Sequence, residues 1–317
     1  MSNCLMDLRL GDSLEVLQTI ADNSIDTVVT SPPYYNAREY SQYKSVEAYM
    51  TQMMSIFTEV FRVCKNHHTI VVNVGDVTCQ TGETKDTIRK VPLGAMFIMM
   101  LQDIGFQYID DYIWDKGEVQ SNRQKGNPPY PYYQYPINCY EHILIFTKHV
   151  RDMTRIPCPV CHSLKIRSDS NTSSAIQKWE CANPDCPEKS PSGRGKRFSA
   201  RTIMMSDYQK PENEIPKGFI DKFRRDIVPI TPVIKINAIG ENTLGHTAPY
   251  PEEIPELAVR YYSGIDDIVL DPFMGSGTTG LVCKRLGRNF IGIELDSDYY
   301  RLAKSRIENT SFPIKLF

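Results

Sequence analysis

Two loop motifs that lie far apart in the sequence constrain the fold of this chain more than any other feature. Residues 30–34 read Thr-Ser-Pro-Pro-Tyr, and residues 271–279 read Asp-Pro-Phe-Met-Gly-Ser-Gly-Thr-Thr. Each follows a short apolar run, so each is predicted to be a loop at the carboxyl end of a β-strand. In open α/β sheets such ends form the ligand crevice where the strand order reverses. The two loops are therefore predicted to share one pocket.

The second loop has the features of a site for a nucleoside-like cofactor. Asp271 ends a β-rich run, Gly275 and Gly277 permit a tight turn, and Thr278 opens a predicted helix. A second predicted strand ends at Glu294, about 20 residues past the glycines, where a carboxylate can accept two hydrogen bonds from a ribose diol.

The loop differs from the sequences that bind dinucleotides or phosphates. Its glycines are followed by Thr-Thr, and it lacks the Gly-Lys-Ser/Thr ending of a phosphate loop. An acid at the mouth repels a pyrophosphate and favours a cationic ligand. The pattern therefore indicates S-adenosylmethionine, which carries ammonium and sulfonium charges.

These motifs together resemble the amino-directed DNA methyltransferases, which carry an Asp/Asn/Ser-Pro-Pro-Tyr/Phe loop and an Asp-Pro-Phe-x-Gly-Ser-Gly-Thr-Thr loop. Because the catalytic loop comes first, the order resembles the permuted β class. Five further segments match, so the resemblance covers most of the chain: residues 11–14, 73–76, 113–116, 141–144 and 246–253. It implies a Rossmann-like, doubly wound, mostly parallel α/β sheet with an antiparallel hairpin and a circularly permuted motif order.

The resemblance also implies catalytic roles for the first loop. An exocyclic amino nitrogen is a poor nucleophile because its lone pair is delocalised into the base, so hydrogen-bond acceptors must favour a more electron-rich nitrogen. In the family's pattern the Ser31 side chain and the Pro32 carbonyl accept the amino hydrogens, and Tyr34 stacks on a base flipped out of the duplex. Pro32 and Pro33 fix φ and stiffen the loop.

Cofactor contacts follow from the same resemblance. Asp12 corresponds to a contact with the cofactor's adenine, Asp271 and Gly275 to the methionine end, and Glu294 to the ribose. The other predicted cofactor-binding residues of the loop are Phe273, Gly277 and Thr278. Three more positions have less defined roles, since Asn36 is expected to brace the catalytic loop, whereas Asp76 and His246 are equally consistent with turn or capping residues.

The identity of the methylated base depends on Ser31. Within the family, Ser in this position goes mostly with N4 of cytosine and Asp with N6 of adenine, so cytosine N4 is predicted and adenine N6 is the alternative.

Residues 127–130 repeat the signature as Asn-Pro-Pro-Tyr, but no strand precedes them. We therefore place catalysis at Ser31 and expect the second copy to face DNA or a second subunit of a homodimer.

Four cysteines predict a structural zinc site. Pro157-Cys158 matches the dipeptide of cytosine-C5 enzymes, but Cys158 and Cys161 are followed by a second close pair, Cys181 and Cys186. Two such pairs are typical of a zinc ribbon, in which four thiolates leave no open position for catalysis. His162 is an alternative ligand. The other five cysteines occur singly and are predicted to be packing residues.

Charge is segregated along the chain. Residues 151–225 hold fifteen Lys and Arg against nine Asp and Glu, a net charge of +6, so the rest carries −8 within a total of −2. Basic clusters can neutralise DNA phosphates. We therefore divide the chain into a catalytic half, residues 1–150, a target-recognition region with the zinc ribbon, residues 151–225, and a cofactor-binding half, residues 226–317.

The remaining elements are predicted from periodicity. Helices are expected at residues 46–63 and 91–104, and strands at residues 26–29, 68–74, 108–114 and 142–146. No stretch approaches the ~20 apolar residues that span a membrane. Nine cysteines without a signal peptide predict a reducing, cytoplasmic compartment.

The sequence therefore predicts an S-adenosylmethionine-dependent DNA methyltransferase that acts on double-stranded DNA. Its expected context is a restriction-modification system, with the cognate endonuclease as a functional partner. The alternatives left open are adenine specificity, an RNA or protein-amide substrate, and an inactive methyltransferase fold that serves as a zinc-ribbon nucleic-acid binder.

Overall fold

The computed structural model describes residues 4–36, 42–80, 88–117, 138–169, 176–233 and 250–310. The strands are β1 Met6–Leu10, β2 Ile25–Thr30, β3 Cys64–Val74, β4 Val77–Gln80, β5 Ile88–Val91, β6 Phe106–Asp115, β7 Tyr140–Lys148, β8 Ile166–Ser168, β9 Trp179–Cys181, β10 Arg197–Phe198, β11 Ile227–Pro229, β12 Ile268–Asp271 and β13 Asn289–Glu294. The helices are α1 Ser13–Gln18, α2 Val46–Val63, α3 Leu93–Ile104, α4 Ala200–Tyr208, α5 Lys217–Lys222, α6 Glu253–Tyr262, α7 Thr278–Leu286 and α8 Ser297–Glu308.

Eight strands form one sheet in the order β1-β13-β12-β2-β3-β7-β6-β11. Seven of them run parallel, and β7 pairs antiparallel with both β3 and β6. The predicted mostly parallel sheet with an antiparallel hairpin is thereby confirmed. The strand order reverses between β12 and β2, because β2 continues through α2 to β3 on one side and β12 through α7 to β13 on the other.

The predicted elements match the observed ones closely where the sequence signal is strong. The helix predicted at residues 46–63 is α2, which begins after Ser45, whose side chain caps it by accepting from the Ala48 N–H. The strand predicted at residues 68–74 begins earlier, at Cys64. The apolar pattern does not indicate this start because Lys65 and Asn66 are polar. Both residues are only partly buried, since they lie where the chain passes from α2 into the strand.

Alternating residues of the sheet supply two apolar cores. Val28, Ile70 and Val72 pack with α1, α2 and α3 on one face, whereas Val29 and Val71 pack with α6, α7 and α8 on the other. Because successive side chains of a strand point to opposite faces, a strand covered on both sides reads as a continuous apolar run. The result is a three-layer α/β/α arrangement whose loops at the carboxyl ends of the strands remain accessible.

The cysteine-rich segment, which holds Cys158, Cys161, Cys181 and Cys186, packs against the end of the sheet opposite these loops. Its strands β8, β9 and β10 form a small antiparallel sheet, and Ile203 of α4 packs on their buried cluster. At the end of α4, the Tyr208 hydroxyl donates to Asp267 Oδ2 at 2.9 Å, and beyond the helix Asn213 Oδ1 accepts from the Ile265 N–H at 2.8 Å. Asp267 and Ile265 precede β12, so these contacts lie at the amino ends of the parallel strands.

The chain returns from this segment towards the pocket edge along β11. The Trp114 indole donates to the Ile230 carbonyl at 2.8 Å, and the Ile230 N–H donates to the Asp115 carbonyl at 3.1 Å.

Two predicted segments, residues 127–130 and the match at residues 246–249, lie outside the described residues. Within the described ranges, no helix has the length and apolar character required to traverse a lipid bilayer.

Gly292 in β13 offers a test of how tightly the sheet packs against the cofactor loop. A Cβ at this position would lie 2.4 Å from Met274 Sδ and 2.6 Å from the Phe290 ring. We expect Gly292→Ala to lower the free energy of unfolding by about 1–3 kcal/mol through overpacking, measured by urea denaturation. Gly218→Ala is the control, since nothing lies within 4 Å of its added Cβ. Equal stability of the two variants would contradict the packing.

Candidate active site

The two predicted loops meet at the point where the strand order reverses. Ser31 follows β2, Asp271 ends β12, and the Thr30 hydroxyl donates to Asp271 Oδ1 at 2.7 Å. Asp12 follows β1 and Glu294 ends β13, so both lie at the same edge of the sheet. The structure therefore brings the predicted catalytic and cofactor-binding residues into one region.

Asp271 is buried and bound to the protein on both carboxylate oxygens. Besides Thr30, the Thr279 hydroxyl donates to Oδ2 at 2.7 Å and the Phe273 N–H donates to Oδ1 at 3.1 Å. Burial raises the pKa of Asp271 to about 6, while the hydroxyl hydrogen bonds act in the opposite direction. Its carboxylate, only 1% exposed, thus fixes the start of the cofactor loop relative to the end of β2.

Two glycines shape the cofactor loop. Gly275 and Gly277 have φ values of 53° and 80°, a region that residues with a Cβ rarely adopt. Gly277 also abuts α8, where an added Cβ would lie 2.9 Å from the Cβ of Ala303. The turn delivers Thr278, buried at the first position of α7, directly behind the loop.

Glu294 connects the end of β13 to this turn. Its Oε2 accepts from the Gly275 N–H at 2.7 Å and its Oε1 from the Asp296 N–H at 2.8 Å. Burial raises the pKa of Glu294, opposed by these backbone hydrogen bonds. A carboxylate has about four lone-pair sites, so two acceptor directions remain for a diol, and the backbone contacts hold the group in place.

Asp12 lies at the neighbouring strand end and caps α1. Its Oδ1 accepts from the Leu14 N–H at 2.9 Å, and the adjacent Ser13 hydroxyl donates to the Pro272 carbonyl at 2.6 Å. This second bond ties the β1 loop to the cofactor loop. Tyr43 lies close enough that the Asp12 charge, secondary to burial, raises the pKa of its phenol.

Tyr34 of the catalytic loop makes three polar contacts through its hydroxyl group. The nearest partner is Glu141 Oε2 at 2.7 Å, followed by Ser31 Oγ at 3.3 Å and Asn73 Oδ1 at 3.4 Å. Burial and the Glu141 charge raise the pKa of Tyr34 well above its usual value. Pro32 is buried, whereas Ser31 and Tyr34 are half-buried.

Sequence reasoning assigned no role to Asn73, Lys116 or Glu141, although all three fall in segments that matched the family. Lys116 Nζ donates to Glu141 Oε1 at 2.5 Å, and Glu141 lies on β7 beside the end of β3. The available signal was positional. Polar residues near the end of β3, just after β6 and near the start of antiparallel β7 must all occupy the edge that carries the catalytic loop.

Two residues with less defined expectations have clear contacts. Asn36, expected to brace the catalytic loop, bonds to the segment before α2, because its Oδ1 accepts from the Tyr43 N–H at 2.7 Å. Asp76 has the capping role, since its Oδ1 accepts from the Gly94 N–H at 3.2 Å and its other oxygen lies 3.3 Å from Lys90 Nζ. His246 lies outside the described residues.

The four clustered cysteines converge in the small antiparallel sheet. The Sγ atoms of Cys158, Cys161, Cys181 and Cys186 all lie within 4.8 Å of one another, with Cys161 and Cys181 3.6 Å apart. Tetrahedral zinc with bonds of about 2.3 Å requires sulfurs about 3.8 Å apart, so the cluster has the dimensions of such a site. Among the described residues, His162 is not part of this group.

Titration of Asp271 gives a test of its burial. Because its folded pKa of about 6 exceeds the ordinary value of 3.8, protonation favours the folded state. Its contribution to stability is full below pH 3.8 and is lost as the pH rises through 6, by an amount on the order of 3 kcal/mol. We therefore compare the free energy of unfolding of the wild type with that of Asp271→Asn by urea denaturation. We expect the wild-type value minus the variant value to decrease between pH 4 and 7. The exposed Asp103→Asn is the control, and a pH-independent difference for Asp271→Asn would contradict the assignment.

Comparison with known proteins gives the family. The model of an N6/N4-type DNA methylase matches residues 25–305. The type II beta methyltransferase M.BslI of Bacillus sp. (strain NEB-606) is 35% identical over 306 residues, covering 95% of this chain and 27% of that protein, so the chain spans about a quarter of that relative. The type II methyltransferase M.SmaI of Serratia marcescens is 28% identical and covers 94% of this chain and 89% of that protein.

A solved structure shares the fold. The Thermus thermophilus protein TTHA0409 has a TM-score of 0.63 and 25% identity, covering 99% of this chain and 97% of that one, and it has also been solved with S-adenosyl-L-methionine. The family model spans most of the chain, and a relative at 35% identity matches 95% of it. The chain therefore belongs to the β-class N6/N4 DNA methyltransferases, which confirms the family that its motifs predicted.

Proposed function

We propose that this protein is an S-adenosylmethionine-dependent methyltransferase that methylates the exocyclic N4 of a cytosine flipped out of double-stranded DNA. The observation that carries the proposal is the buried hydrogen bond of 2.7 Å between Thr30 and Asp271. It joins the loop that holds the acceptors for an amino group to the loop built to hold a cofactor. A donor and an acceptor of one methyl group must lie in such proximity.

The cofactor-binding residues fit this assignment. Glu294 offers acceptor directions for the ribose diol, Gly275 and Gly277 bring the backbone close to the ligand, and Asp12 lies beside the same loop. Asp271, Phe273 and Thr278 support the turn from behind. When bound, S-adenosylmethionine supplies the sulfonium-activated methyl group that the amino nitrogen attacks.

The residues of the catalytic loop prepare the base. Ser31 and the Pro32 carbonyl accept hydrogen bonds from the amino group and so favour a nitrogen with an available lone pair. The Tyr34 ring provides a face on which a flipped base can stack, at the cost of a few kcal/mol for unstacking that the pocket contacts offset. Pro32 and Pro33 hold both acceptors in fixed directions.

Cytosine is favoured over adenine because of the neutral hydroxyl at Ser31. The edge of cytosine next to its amino group carries the acceptors N3 and O2. An ionised carboxylate at this position would repel those acceptors, whereas a hydroxyl would not. Adenine N6 is the competing substrate within the same mechanism.

The role in a restriction-modification system follows the relatives, which are named as type II methyltransferases. We extend that role to this chain, with a cognate endonuclease as its functional partner. Because the chain spans only 27% of M.BslI, the assignment concerns the methyltransferase unit that the two proteins share.

Residues 151–225 are assigned to DNA target recognition, with zinc as a structural ion held by the four cysteines. The charge of +6 in this region suits a polyanionic partner. The segment packs on the edge of the sheet away from Ser31 through Tyr208 and Asn213, and β11 then leads back towards the pocket. Zinc therefore supports the region's fold rather than the methyl transfer.

The primary experiment is to express the protein in a host that lacks DNA methylation and to analyse the genomic nucleosides by mass spectrometry. N4-methylcytosine is the expected product. N6-methyladenine would retain the mechanism and reject the argument from Ser31. With the protein folded and able to bind cofactor, the absence of both would favour an inactive nucleic-acid binder or an RNA or protein substrate.

Loss of the amino-group acceptor or of the stacking ring should abolish turnover. We expect Ser31→Ala and Tyr34→Ala each to lower the methylation rate by at least ~10²-fold, while the dissociation constant for S-adenosylmethionine, measured by calorimetry, stays within a factor of about three because neither residue lies in the cofactor loop. Wild-type methylation by either variant would refute the catalytic assignment.

Removing one zinc ligand should affect the metal and DNA binding together. We expect Cys181→Ser to lower the zinc content, measured by mass spectrometry of the purified protein, and to weaken binding to duplex DNA, while cofactor affinity is retained. Cys4→Ser is the control, because Cys4 lies outside the cluster. Unchanged zinc stoichiometry in Cys181→Ser would refute the metal site.

A further inference from the structure

A chain of polar groups leads from the catalytic serine into the wall of the pocket. Ser31 Oγ lies 3.3 Å from the Tyr34 hydroxyl, which lies 2.7 Å from Glu141 Oε2. Glu141 Oε1 in turn accepts from Lys116 Nζ at 2.5 Å. The proposed reaction requires Ser31 to accept a hydrogen bond, yet a serine hydroxyl can donate as readily as it accepts. The chain of partners decides between the two states.

The deeper partners of Tyr34 can only accept. Glu141 is paired with the Lys116 ammonium, and a glutamate carboxylate has acceptor oxygens only. Asn73 is also oriented, because its Nδ2 donates to the His142 carbonyl at 3.0 Å and its Oδ1 therefore faces Tyr34. Both groups compete for the single phenolic hydrogen, and the shorter contact belongs to Glu141.

The direction of the remaining hydrogen bond follows from this arrangement. Burial and the Glu141 charge raise the pKa of Tyr34, so the phenol retains its hydrogen. That hydrogen is directed inward, which leaves the Tyr34 oxygen as an acceptor towards Ser31. The Ser31 hydrogen then points to Tyr34, and the lone pairs of Ser31 remain for the pocket.

We propose that Glu141, held by Lys116 and acting through the Tyr34 hydroxyl, is a positioning residue that fixes Ser31 as a hydrogen-bond acceptor for the exocyclic amino group of the target base. This inference rests on the proposed methyltransferase function and extends it to the phenol oxygen of Tyr34, beyond the stacking of its ring. A carboxylate in place of Ser31 would accept without such help, whereas a hydroxyl requires it.

The packing around Glu141 supports a fixed geometry. A Cβ at Gly75 would lie 2.8 Å from Glu141 Cγ and 3.3 Å from its Oε1. The backbone at the end of β3 therefore closes against the glutamate side chain. Together with the hydrogen bond from Lys116 to Oε1, this contact restricts the carboxylate in the orientation in which Oε2 reaches Tyr34.

Two conservative variants test the proposal without changing the shape of the pocket. Tyr34→Phe keeps the stacking ring and removes the hydroxyl. In Glu141→Gln, Lys116 selects the amide oxygen, so the amide N–H faces Tyr34 and the phenol loses its nearest acceptor. The phenolic hydrogen is then shared between Asn73 and Ser31, and Ser31 is no longer held as an acceptor for the base. We expect each variant to lower the single-turnover methylation rate by about 10- to 100-fold, with dissociation constants for cofactor and DNA within about 2-fold of wild type.

The double variant separates positioning from independent roles. If the residues act as one chain, Tyr34→Phe with Glu141→Gln should be no slower than the slower single variant, because the connection is already broken. Tyr108→Phe, on an outer part of β6, is the matched control and should keep the wild-type rate. Multiplicative losses in the double variant, or full activity of either single variant, would overturn the proposal.

Failure of this inference is distinguishable from failure of the proposed function. Wild-type protein that methylates DNA while Tyr34→Phe and Glu141→Gln retain its rate would reject only the orienting role. Wild-type protein that binds cofactor but methylates no DNA base would reject the function on which the inference rests. Circular dichroism and the cofactor dissociation constant identify variants that have lost the fold.

Discussion

The architecture of the site depends on the buried carboxylate of Asp271 at the reversal of strand order. Hydrogen bonds from Thr30 and Thr279 hold it between the end of β2 and the start of α7. A buried carboxylate without such partners would be costly, so the interaction couples the position of the catalytic loop to that of the cofactor loop. Asp271 therefore connects the catalytic loop and the cofactor loop. Its carboxylate faces the hydroxyl groups of the protein rather than the mouth of the pocket.

The antiparallel strand β7 supplies what the parallel strands cannot. A parallel strand delivers its carboxyl end to the pocket, but β7 begins at that edge and so presents Glu141 near its amino end. Together with Lys116, which follows β6, it completes a polar wall beside Tyr34. The antiparallel strand thus places the Glu141 carboxylate beside the catalytic loop, whose first side chain, Ser31, is a neutral hydroxyl.

The basic region and the catalytic pocket occupy different parts of the molecule. Tyr208 and Asn213 dock the segment after the ribbon onto residues that precede β12, at the amino ends of the parallel strands. The cysteine cluster and the segment's own apolar residues form a separate small core. The cysteine cluster is therefore separate from the pocket, because none of its four described residues lines the pocket.

The sequence by itself determined the family, the two loops, the parallel strands and the cysteine pairs, because each has a local signature: an apolar run, a glycine turn, or a fixed ligand spacing. It predicted both ends of β13 and the start of α2 to the residue, but it missed the start of β3, where partly exposed Lys65 and Asn66 interrupt the apolar pattern. Only the tertiary structure decided that Asp271 faces Thr30 and that Glu141 faces Tyr34, since these pairs are 241 and 107 residues apart. The direction of a hydrogen bond depends on which donors and acceptors come into contact in the folded protein, and the spacing of residues in the sequence does not indicate those contacts.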